Sequence, residues 1–452
     1  MQQIITAKLK LLTTPEQAQA LRSTQLAYRD GLNAVSRYAF EHGKTSSAKK
    51  LHQGMYDELR AHHHLPSQLA CSVERQVAAT YKGLWTKLLK NKEHRRKKIT
   101  RKRYKGLDQP PKYSSPTVQY TYERDYTLKC GQEVSVGTLN GRIIIPYQGY
   151  YEHIARIQHG ASIGDAKLWY DRPKKTFYLL VSLKIDVEEP TPAHLSEVIG
   201  VDVGIRYLAV TSTETGEATF SSGKRVRHKA NHYARLRKRL QRKGTRGARR
   251  KLQRIAQRER RFKLQENHVI AKQIITQHPH TLIGLEDLTD IRERTKRRKR
   301  RSKKNGNGYE RVSQKARKAN RVYSQWSFAE LHTLISYKAL LSGSLAVKVD
   351  AYKTSQACPM CGHTAKENRP QKGLLFMCQN EACHYTLHAD LIGARNVVMR
   401  TLLLRQDWSK TGLLSMAPDA SDDEAKAAYR VRYAELRWSS DVSSPRSQGG
   451  GD

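Results

Sequence analysis

The sequence contains no apolar run of the about 18–20 residues that a membrane-spanning helix requires. Its first residues, MQQIITAKLKL, alternate like a β-strand and lack the apolar core of a signal peptide. Cysteine is scarce: six cysteines in 452 residues exclude a disulfide-based scaffold and fit a reducing compartment. Two of them, Cys71 and Cys130, stand apart from the others and are expected to be inert.

Acidic residues are few relative to basic ones. Lys and Arg number 83 against 41 Asp and Glu, which gives a formal net charge of +42 at pH 7. A charge of this size attracts polyanions, and nucleic-acid phosphates release counterions when Lys and Arg neutralise them. We therefore expect a nucleic-acid-binding protein, with a ribosome-like structural role and an anionic membrane surface as the alternatives.

The N-terminal part begins with a strand and continues with helices. Residues 2–12 alternate as a strand, and the following Thr14, Pro15 and Gln17 have the pattern of a capped helix start. A further helix is expected over 67–90, where apolar residues recur with helical spacing.

From about residue 117 the period of the apolar pattern changes to two. Turn signals at Asn140-Gly141 and at 172–175 predict two hairpins. Together with the first strand, these hairpins predict a β-barrel that is interrupted by the helices.

After a linker expected at 188–194, apolar strands alternate with basic helices. EVIGVDVG and TLIGLEDL indicate two buried strands, separated by a helical stretch at 227–277 that Gly244 and Gly247 interrupt. Within that stretch three apolar residues lie seven apart and predict a packing seam: Ile255, Phe262 and Val269. Three basic segments are expected to contact nucleic-acid backbone, with a solvated surface as the alternative for each: 92–105, 224–263 and 292–304.

The other four cysteines have the spacing of a metal site. They form the pairs Cys358-x2-Cys361 and Cys378-x4-Cys383. Tetrahedral Zn²⁺ takes four such donors, and a two-residue spacing lets two thiolates face one metal. The second pair is loosely spaced, which leaves three histidines as possible substitutes: His363, His384 and His388. The pattern predicts a closed, structural zinc ribbon rather than a catalytic zinc.

Three acidic residues lie where strands end or a helix begins. Asp202 lies in VIGVDVGI, Glu286 in TLIGLEDL, and Asp390 precedes an apolar helical run. A carboxylate in an apolar strand is costly unless it is paired, hydrogen-bonded or bound to a metal. Three carboxylates that converge from such positions can hold two Mg²⁺ ions for phosphodiester cleavage.

Each acid also has an ordinary interpretation. Asp202 could be a strand-end acid, and one of Glu286 and Asp287 could simply be solvated. Asp390 could be a helix N-cap, which the helix dipole favours. The order of features favours metal binding, because acid, basic helices, acid, cysteine pairs and acid follow one another in a strongly basic chain.

Three stretches resemble the TnpB family: GVDVGIRYLAVTSTETG, LIGLEDL and SQACPMCG…FMCQNEACHYTLHADLIGARNV. They are similar, in that order, to the three RuvC segments and the intervening zinc ribbon of these transposon-encoded RNA-guided nucleases, which are related to type V CRISPR effectors. The resemblance is specific over roughly 197–400 and architectural over 1–190. The chain departs from the family pattern in the spacing of its second cysteine pair and at Ile392, where the family often has Asn.

The resemblance implies an α/β multi-domain fold. A wedge-like N-terminal β-barrel with a helical recognition insert would precede an RNase H-like RuvC nuclease domain with an inserted zinc ribbon. The implied boundaries are 1–13 and 106–190 for the barrel, 14–105 for the insert, 191–353 and 386–410 for the nuclease domain, 354–385 for the ribbon, and 411–452 for a C-terminal extension that is largely disordered at its end.

The resemblance also implies site residues and partners. Asp202, Glu286 and Asp390 would be the catalytic acids that bind two Mg²⁺ ions. The ligands of a structural Zn²⁺ would be Cys358, Cys361, Cys378 and Cys383. The partners would be a guide RNA derived from the transposon end and target double-stranded DNA, bound by a monomer within a bacterial, cytoplasmic and nucleoid-associated ribonucleoprotein.

The implied function is cleavage of guide-complementary DNA next to a short motif that the protein reads. Four polar positions on the 67–82 helix could face the bases of that motif: Ser67, Gln68, Ser72 and Gln76. Two other functions stay open: a catalytically impaired RNA-guided DNA-binding repressor and an RNase H-like DNA transposase. The three acids argue against the first, and the zinc ribbon placed before the last acid argues against the second.

Overall fold

The computed structural model describes residues 2–96, 102–115, 117–172, 174–289, 300–302, 309–311, 313–314, 327–370, 374–414, 423–438 and 446–447. The chain divides into two compact units, Met1–Asp186 and Val187–Asp452. The boundary lies beside the linker expected at 188–194, where the structure has one short 3-10 turn, Pro192–His194.

The first unit contains a seven-stranded antiparallel sheet. Its strands are β1 (Gln2–Leu11), β2 (Val118–Tyr120), β3 (Tyr126–Lys129), β4 (Glu133–Thr138), β5 (Gly141–Gln148), β6 (Ser162–Asp171) and β7 (Thr176–Asp186). They lie in the order β2-β6-β7-β1-β5-β4-β3. At one edge the Tyr120 hydroxyl donates a hydrogen bond to the Gly137 carbonyl of β4, 2.8 Å away. The sheet therefore curls into a nearly closed, barrel-like form.

The predicted first strand and both predicted hairpins are confirmed. β4 and β5 are joined at Asn140-Gly141, where Gly141 has a φ of +103° that favours glycine. β6 and β7 pair on either side of residues 172–175.

Helices α1 (Pro15–Glu41), α2 (Ala48–Ala61) and α3 (Ser67–Arg96) lie between β1 and β2 in the chain, and α4 (Tyr151–Gln158) lies between β5 and β6. The predicted start of α1 is confirmed, because the side chains of Thr14 and Gln17 accept hydrogen bonds from each other's backbone N–H groups. α3 covers the helix predicted at 67–90 and continues to Arg96. The apolar periodicity did not identify α2, which buries three side chains: Leu51, Met55 and Leu59.

The second unit contains a five-stranded sheet surrounded by helices. The described strands of the whole unit, five of which form this sheet and the rest two-stranded sheets, are β8 (Glu197–Asp202), β9 (Tyr207–Thr213), β10 (Ala218–Ser222), β11 (Thr281–Glu286), β12 (Arg300–Ser302), β13 (Tyr309–Arg311), β14 (Leu345–Val349), β15 (Leu375–Met377), β16 (Thr386–His388), β17 (Leu436–Arg437) and β18 (Arg446–Ser447). Its described helices are α5 (Lys224–Lys243), α6 (Arg246–Gln277), α7 (Phe328–Leu341), α8 (Ala389–Thr411) and α9 (Asp423–Glu435). The large sheet has the order β10-β9-β8-β11-β14, with β8, β11 and β14 parallel.

Helices cover both faces of this sheet. Ile199 and Ile283 face one side, where they join a core with α6 and α7. Val198 and Leu282, one residue earlier in each strand, face the other side and join a core with α8 through residues such as Val398. Burial on both faces explains why β8 and β11 have nearly continuous apolar sequences.

The basic stretch predicted as helical consists of two helices. α5 ends at Gly244, whose φ of +66° is the left-handed conformation of many helix C-termini. The predicted seam is wrong at its end: Ile255 is buried, but Val269 is 42% exposed. A straight helix drifts away from a seven-residue repeat, and the adjacent Ile270 is buried instead.

Some expectations concern residues outside the described ranges. Of the basic run at 292–304, only β12 is described, and of the tail at 439–452, only Arg446–Ser447. Within the ranges given above, no helix has both the length and the apolar character needed to cross a membrane.

Candidate active site

β8 and β11 end side by side, each with an acid at its last position. They pair in parallel with Gly200 opposite Gly284, and Asp202 and Glu286 lie two residues further along. Side chains two residues apart in a strand share a face. Both carboxylates therefore lie on the face that α8 covers.

The two glycines let α8 lie directly on the strands. A Cβ at Gly200 would be 2.3 Å from the Ala394 carbonyl oxygen and 2.6 Å from the Val398 nitrogen, both backbone atoms of α8. A Cβ at Gly284 would be 1.9 Å from Thr401 Oγ1. Any side chain at these positions would push the helix away, so the glycines set the distance between the strand ends and the helix that carries the third acid.

Asp390 lies in the first turn of α8. The N-cap is His388, whose Nδ1 accepts a hydrogen bond from the Asp390 N–H at 3.3 Å. The N-cap interpretation of Asp390 is therefore wrong, because the imidazole two residues earlier caps the helix. On the same end of α8, a Cβ at Gly393 would be 3.1 Å from the Asp202 Cγ. The first turn of α8 thus packs against the Asp202 carboxyl group.

The three acids share one electrostatic environment. Burial raises the pKa of Asp202 well above its ordinary value, and the charges of Glu286 and Asp390 raise it further, while Arg369 opposes them. Burial also raises the pKa of Glu286. Carboxylates packed together away from water repel one another, which a divalent cation would relieve. The donor set consists of hard oxygen ligands and fits Mg²⁺.

The spacing of the acids differs from that of a single-ion site. The carboxylate oxygens of Asp202, Glu286 and Asp390 do not all lie within 4.8 Å of one another, as the donor atoms of a single-ion site would. Carboxylates that share two ions about 3.5–4 Å apart do not need to meet that condition.

Two side chains outside the sequence motifs act on Glu286, one through a hydrogen bond and one through its charge. The Thr354 hydroxyl donates a 2.5 Å hydrogen bond to Glu286 Oε1. The buried Arg400 guanidinium donates to the carbonyls of Asp350 and Tyr352, and its charge helps to lower the pKa of Glu286 against the effect of burial. The sequence analysis missed both residues. The signal for Arg400 is a charge inside the apolar run of α8, whereas Thr354 has none.

Glu286 and the adjacent Asp287 differ in exposure and in their hydrogen-bond partners. Glu286 is 7% exposed, whereas the Asp287 side chain is 33% exposed. The Asp287 carboxylate accepts hydrogen bonds from the backbone and the hydroxyl of Thr289 and lies 3.8 Å from Lys348 Nζ. Of the two neighbouring acids, Glu286 is therefore the one beside Asp202.

The four cysteines come together as one cluster. Their sulfur atoms all lie within 4.8 Å of one another, with 3.8 Å between Cys358 and Cys383 and 3.4 Å between Cys361 and Cys378. The cluster includes none of the three histidines considered as substitutes. Four thiols at this spacing suit one tetrahedral metal ion.

Hydrogen bonds tie the cysteine segment to the acids. The Asn396 side chain of α8 donates to the carbonyls of Thr354 and Ala357, at 2.7 and 2.9 Å. Thr354 in turn donates to Glu286. The backbone N–H of Trp438, beyond α9, donates to the Pro359 carbonyl at 2.7 Å. The cluster, α8 and the C-terminal residues therefore support the same group of carboxylates.

The cysteine cluster gives a first testable prediction. We expect Cys378→Ser to lose one bound metal ion per chain and to expose residues 354–388 to proteolysis, since a structural zinc site contributes about 10–16 kcal/mol of binding free energy to local folding. Elemental analysis and limited proteolysis measure both effects. The control is Cys130→Ser, at an exposed cysteine of the first unit. Equal metal content in the two variants would exclude a metal at the cluster.

α5 and α6 present a basic surface. The helices pack together through Leu240 of α5, which shares a core with Ala248 and Ile255 of α6, and Arg237 forms an ion pair with Glu259 of α6. The exposed Lys and Arg side chains of α5 include Lys224, Arg227, Arg235, Lys238, Arg239, Arg242 and Lys243. This surface lies within the predicted basic segment 224–263.

Most of the polar positions on α3 that were expected to face bases have partners inside the first unit. The Tyr28 hydroxyl donates to Gln76 Oε1 at 3.0 Å, and Gln68 donates to the Thr121 hydroxyl at 3.3 Å. Ser72 is buried. The expectation is wrong for Ser72, because its side chain is buried. For Gln68 and Gln76, which are half-buried, it stays a prediction.

Two family models match the chain, almost entirely within the second unit. The model described as "Probable transposase" (OrfB_IS605) matches residues 181–290, which include Asp202 and Glu286. The model described as "Cas12f1-like, TNB domain" matches residues 328–397, which include the four cysteines and Asp390.

Curated relatives cover more of the chain. A protein of Escherichia coli K12, named "Putative RNA-guided DNA endonuclease InsQ", is 27% identical over 286 residues, which are 59% of this chain and 64% of the relative. The "CRISPR-associated endodeoxyribonuclease Cas12f1" of Sulfoacidibacillus thermotolerans is 25% identical over 256 residues, 52% of this chain and 53% of the relative. The chain thus spans between about half and two thirds of the length of these relatives.

Among solved structures, CasPhi-2 (Cas12j) bound to crRNA covers 90% of this chain at 12% identity, with a TM-score of 0.47.

Proposed function

Because the chain belongs to the TnpB family, which is related to type V CRISPR effector nucleases, we propose that it is a transposon-encoded, RNA-guided DNA endonuclease. It would cleave guide-complementary DNA next to a short motif. The observation that carries the proposal is the convergence of Asp202, Glu286 and Asp390 where two parallel strands end under α8. In this interpretation the second unit is a RuvC-like nuclease domain, and the cysteine segment is its zinc ribbon.

The residues of this chain would organise hydrolysis of a phosphodiester bond. Asp202, Glu286 and Asp390 would hold two Mg²⁺ ions, which when bound would supply an activated water and stabilise the leaving oxygen. Thr354 keeps the Glu286 carboxylate in place through its hydrogen bond, and the charge of Arg400 favours the ionised form of Glu286. Arg369, from the loop between the cysteine pairs, places a positive charge near Asp202 and Glu286.

The basic composition supports binding of RNA and DNA. The exposed cations of α5 would contact phosphates without reading sequence. Sequence would be read by base pairing between the guide RNA and the target strand. The barrel-like sheet and the helices α1–α3 would form the wedge and recognition parts of the first unit, and the protein would act as a monomer with its guide RNA.

Cleavage by the protein copurified with its RNA tests this proposal. We expect cleavage of duplex DNA that matches the copurified guide in Mg²⁺, and no cleavage with EDTA, after RNase treatment or on a mismatched duplex. Sequencing of the copurified RNA identifies the guide. Binding without cleavage in Mg²⁺ would point to the repressor instead, and RNA-independent strand joining would point to the transposase.

A further inference from the structure

A second group of metal-binding side chains lies in the first unit. It consists of His52 on α2 and of Cys71 and Glu74 on α3. Cys71 and Glu74 are three residues apart and therefore share one face of their helix. One donor atom from each of the three residues lies within 4.8 Å of the others. Cys71 stands apart from the other cysteines, but packing of α2 on α3 brings a histidine and a glutamate to it.

Glu74 is the unusual member of this group. It is 2% exposed, and its Oε2 forms a 2.8 Å hydrogen bond with His52 Nδ1. Its other carboxylate oxygen, Oε1, is buried without a hydrogen-bond partner among the residues that the structure describes. Burial raises the pKa of Glu74, while the hydrogen bond and charge of His52 act in the opposite direction.

A simple His–Glu ion pair leaves part of this arrangement unexplained. A buried carboxylate is stable when both oxygens are satisfied or when it binds a metal, and one imidazole satisfies only Oε2. The ion pair also gives no reason for a thiol at the same point. Imidazole, thiolate and carboxylate together are a ligand set that selects zinc and similar transition metals over Mg²⁺ or Ca²⁺.

We propose that His52, Cys71 and Glu74 bind a Zn²⁺-like transition-metal ion, which is distinct from the ion at the four cysteines. Three protein ligands leave a fourth tetrahedral position for water. The His52 side chain is 48% exposed, which gives the ion a route from solvent. The ion would connect α2 to α3, and α2 is a short helix that otherwise buries Leu51, Met55 and Leu59.

Metal counting on the full chain tests the proposal. The protein is dialysed against Zn²⁺ and then against metal-free buffer, and zinc per chain is measured by elemental analysis. We expect Cys71→Ser to hold one zinc fewer than Cys130→Ser, whose cysteine is exposed and outside the group. Comparing these two variants cancels zinc bound by surface histidines, which are the same in both. Equal zinc content would overturn the proposal.

A second variant separates metal binding from misfolding. His52→Ala removes a half-exposed side chain and leaves the buried Glu74 and the partly buried Cys71 unchanged. We expect it to lose the same single zinc while helix content, measured by circular dichroism, stays at the level of Cys130→Ser. With Co²⁺ as the probe, Cys130→Ser should show a stronger thiolate-to-cobalt band than Cys71→Ser and His52→Ala, in which only the four-cysteine cluster contributes to the band. A band of unchanged intensity in both variants would also overturn the proposal.

Discussion

Glu286→Gln is expected to reduce guide-directed DNA cleavage by about 10³-fold, whereas Asp287→Asn leaves it within about twofold of wild type. Gln has the size of Glu and still accepts the Thr354 hydrogen bond, so the substitution removes mainly the charge. A metal ligand that loses its negative charge binds Mg²⁺ poorly, and several kcal/mol of transition-state stabilisation are lost with the ion. Asp287 is the matched control, because it is the adjacent acid and its carboxylate binds Thr289 instead.

Single-turnover cleavage of a matched duplex at saturating Mg²⁺ measures both effects. Both variants should retain guide RNA equally, and neither should melt below the wild type, so that a loss of cleavage reports chemistry. Cleavage at the wild-type rate by Glu286→Gln would remove this residue from the site. Loss of cleavage in Asp287→Asn alone would exchange the roles of the two acids.

The sequence predicted the positions of the acids because the informative pattern is local. Ile-Gly-Val-Asp in β8 and Ile-Gly-Leu-Glu in β11 each combine an apolar strand, a glycine and a terminal acid. Such a pattern indicates where a buried strand ends. Neither segment alone indicates that the two strands are parallel neighbours with Gly200 opposite Gly284. This arrangement depends on pairing between residues 84 positions apart.

The supporting residues were missed for the same reason. Thr354 follows Glu286 by 68 positions, and only the fold of the cysteine segment brings its hydroxyl to the carboxylate. The group of His52, Cys71 and Glu74 likewise depends on the packing of α2 on α3. The sequence pattern did not identify α2, so it could not bring His52 to the other two.

The sequence predicted the role of Asp390 only in part. Its place at the start of an apolar helix indicated the helix boundary correctly to within one residue. Whether Asp390 or a neighbour caps that helix depends on side-chain geometry, and the structure assigns the cap to His388. The neighbouring Gly393 gave no sequence signal, although a side chain there would press on Asp202.

Gly200→Ala is expected to destabilise the second unit by about 3 kcal/mol or more, at the upper end of what overpacking costs. Its Cβ would meet the backbone of α8 at Ala394 and Val398, and backbone atoms cannot rotate away as a side chain can.

Gly247→Ala is the control within the same unit. Nothing lies within 4 Å of its Cβ, and alanine in α6 should be neutral or slightly stabilising, by about 0.5–1 kcal/mol. Hydrogen exchange of the α8 amides reports the effect locally, which matters because a two-unit chain need not unfold in one step.

Gly284→Ala should respond differently to a second substitution, because its closest neighbour is the Thr401 side chain. Thr401→Ala removes that hydroxyl, along with its hydrogen bond to the Val397 carbonyl. We expect the double variant Gly284→Ala/Thr401→Ala to regain part of the lost stability, with a coupling free energy on the order of 1 kcal/mol. Thr401→Ala should not rescue Gly200→Ala, since the contacts there are with backbone.

The variants Gly200→Ala and Gly284→Ala also test whether the packing of α8 on the strands affects the rate of DNA cleavage. If close packing of α8 sets the position of Asp390, Gly200→Ala should reduce cleavage at temperatures where the protein is still folded, since misplacing a ligand by about 1 Å can cost 10²-fold in rate. The partly rescued double variant Gly284→Ala/Thr401→Ala should regain cleavage in proportion to the recovered protection of its α8 amides from hydrogen exchange. Full cleavage by a folded Gly200→Ala protein would show that the glycine pair serves stability alone and that Asp390 reaches the site without it.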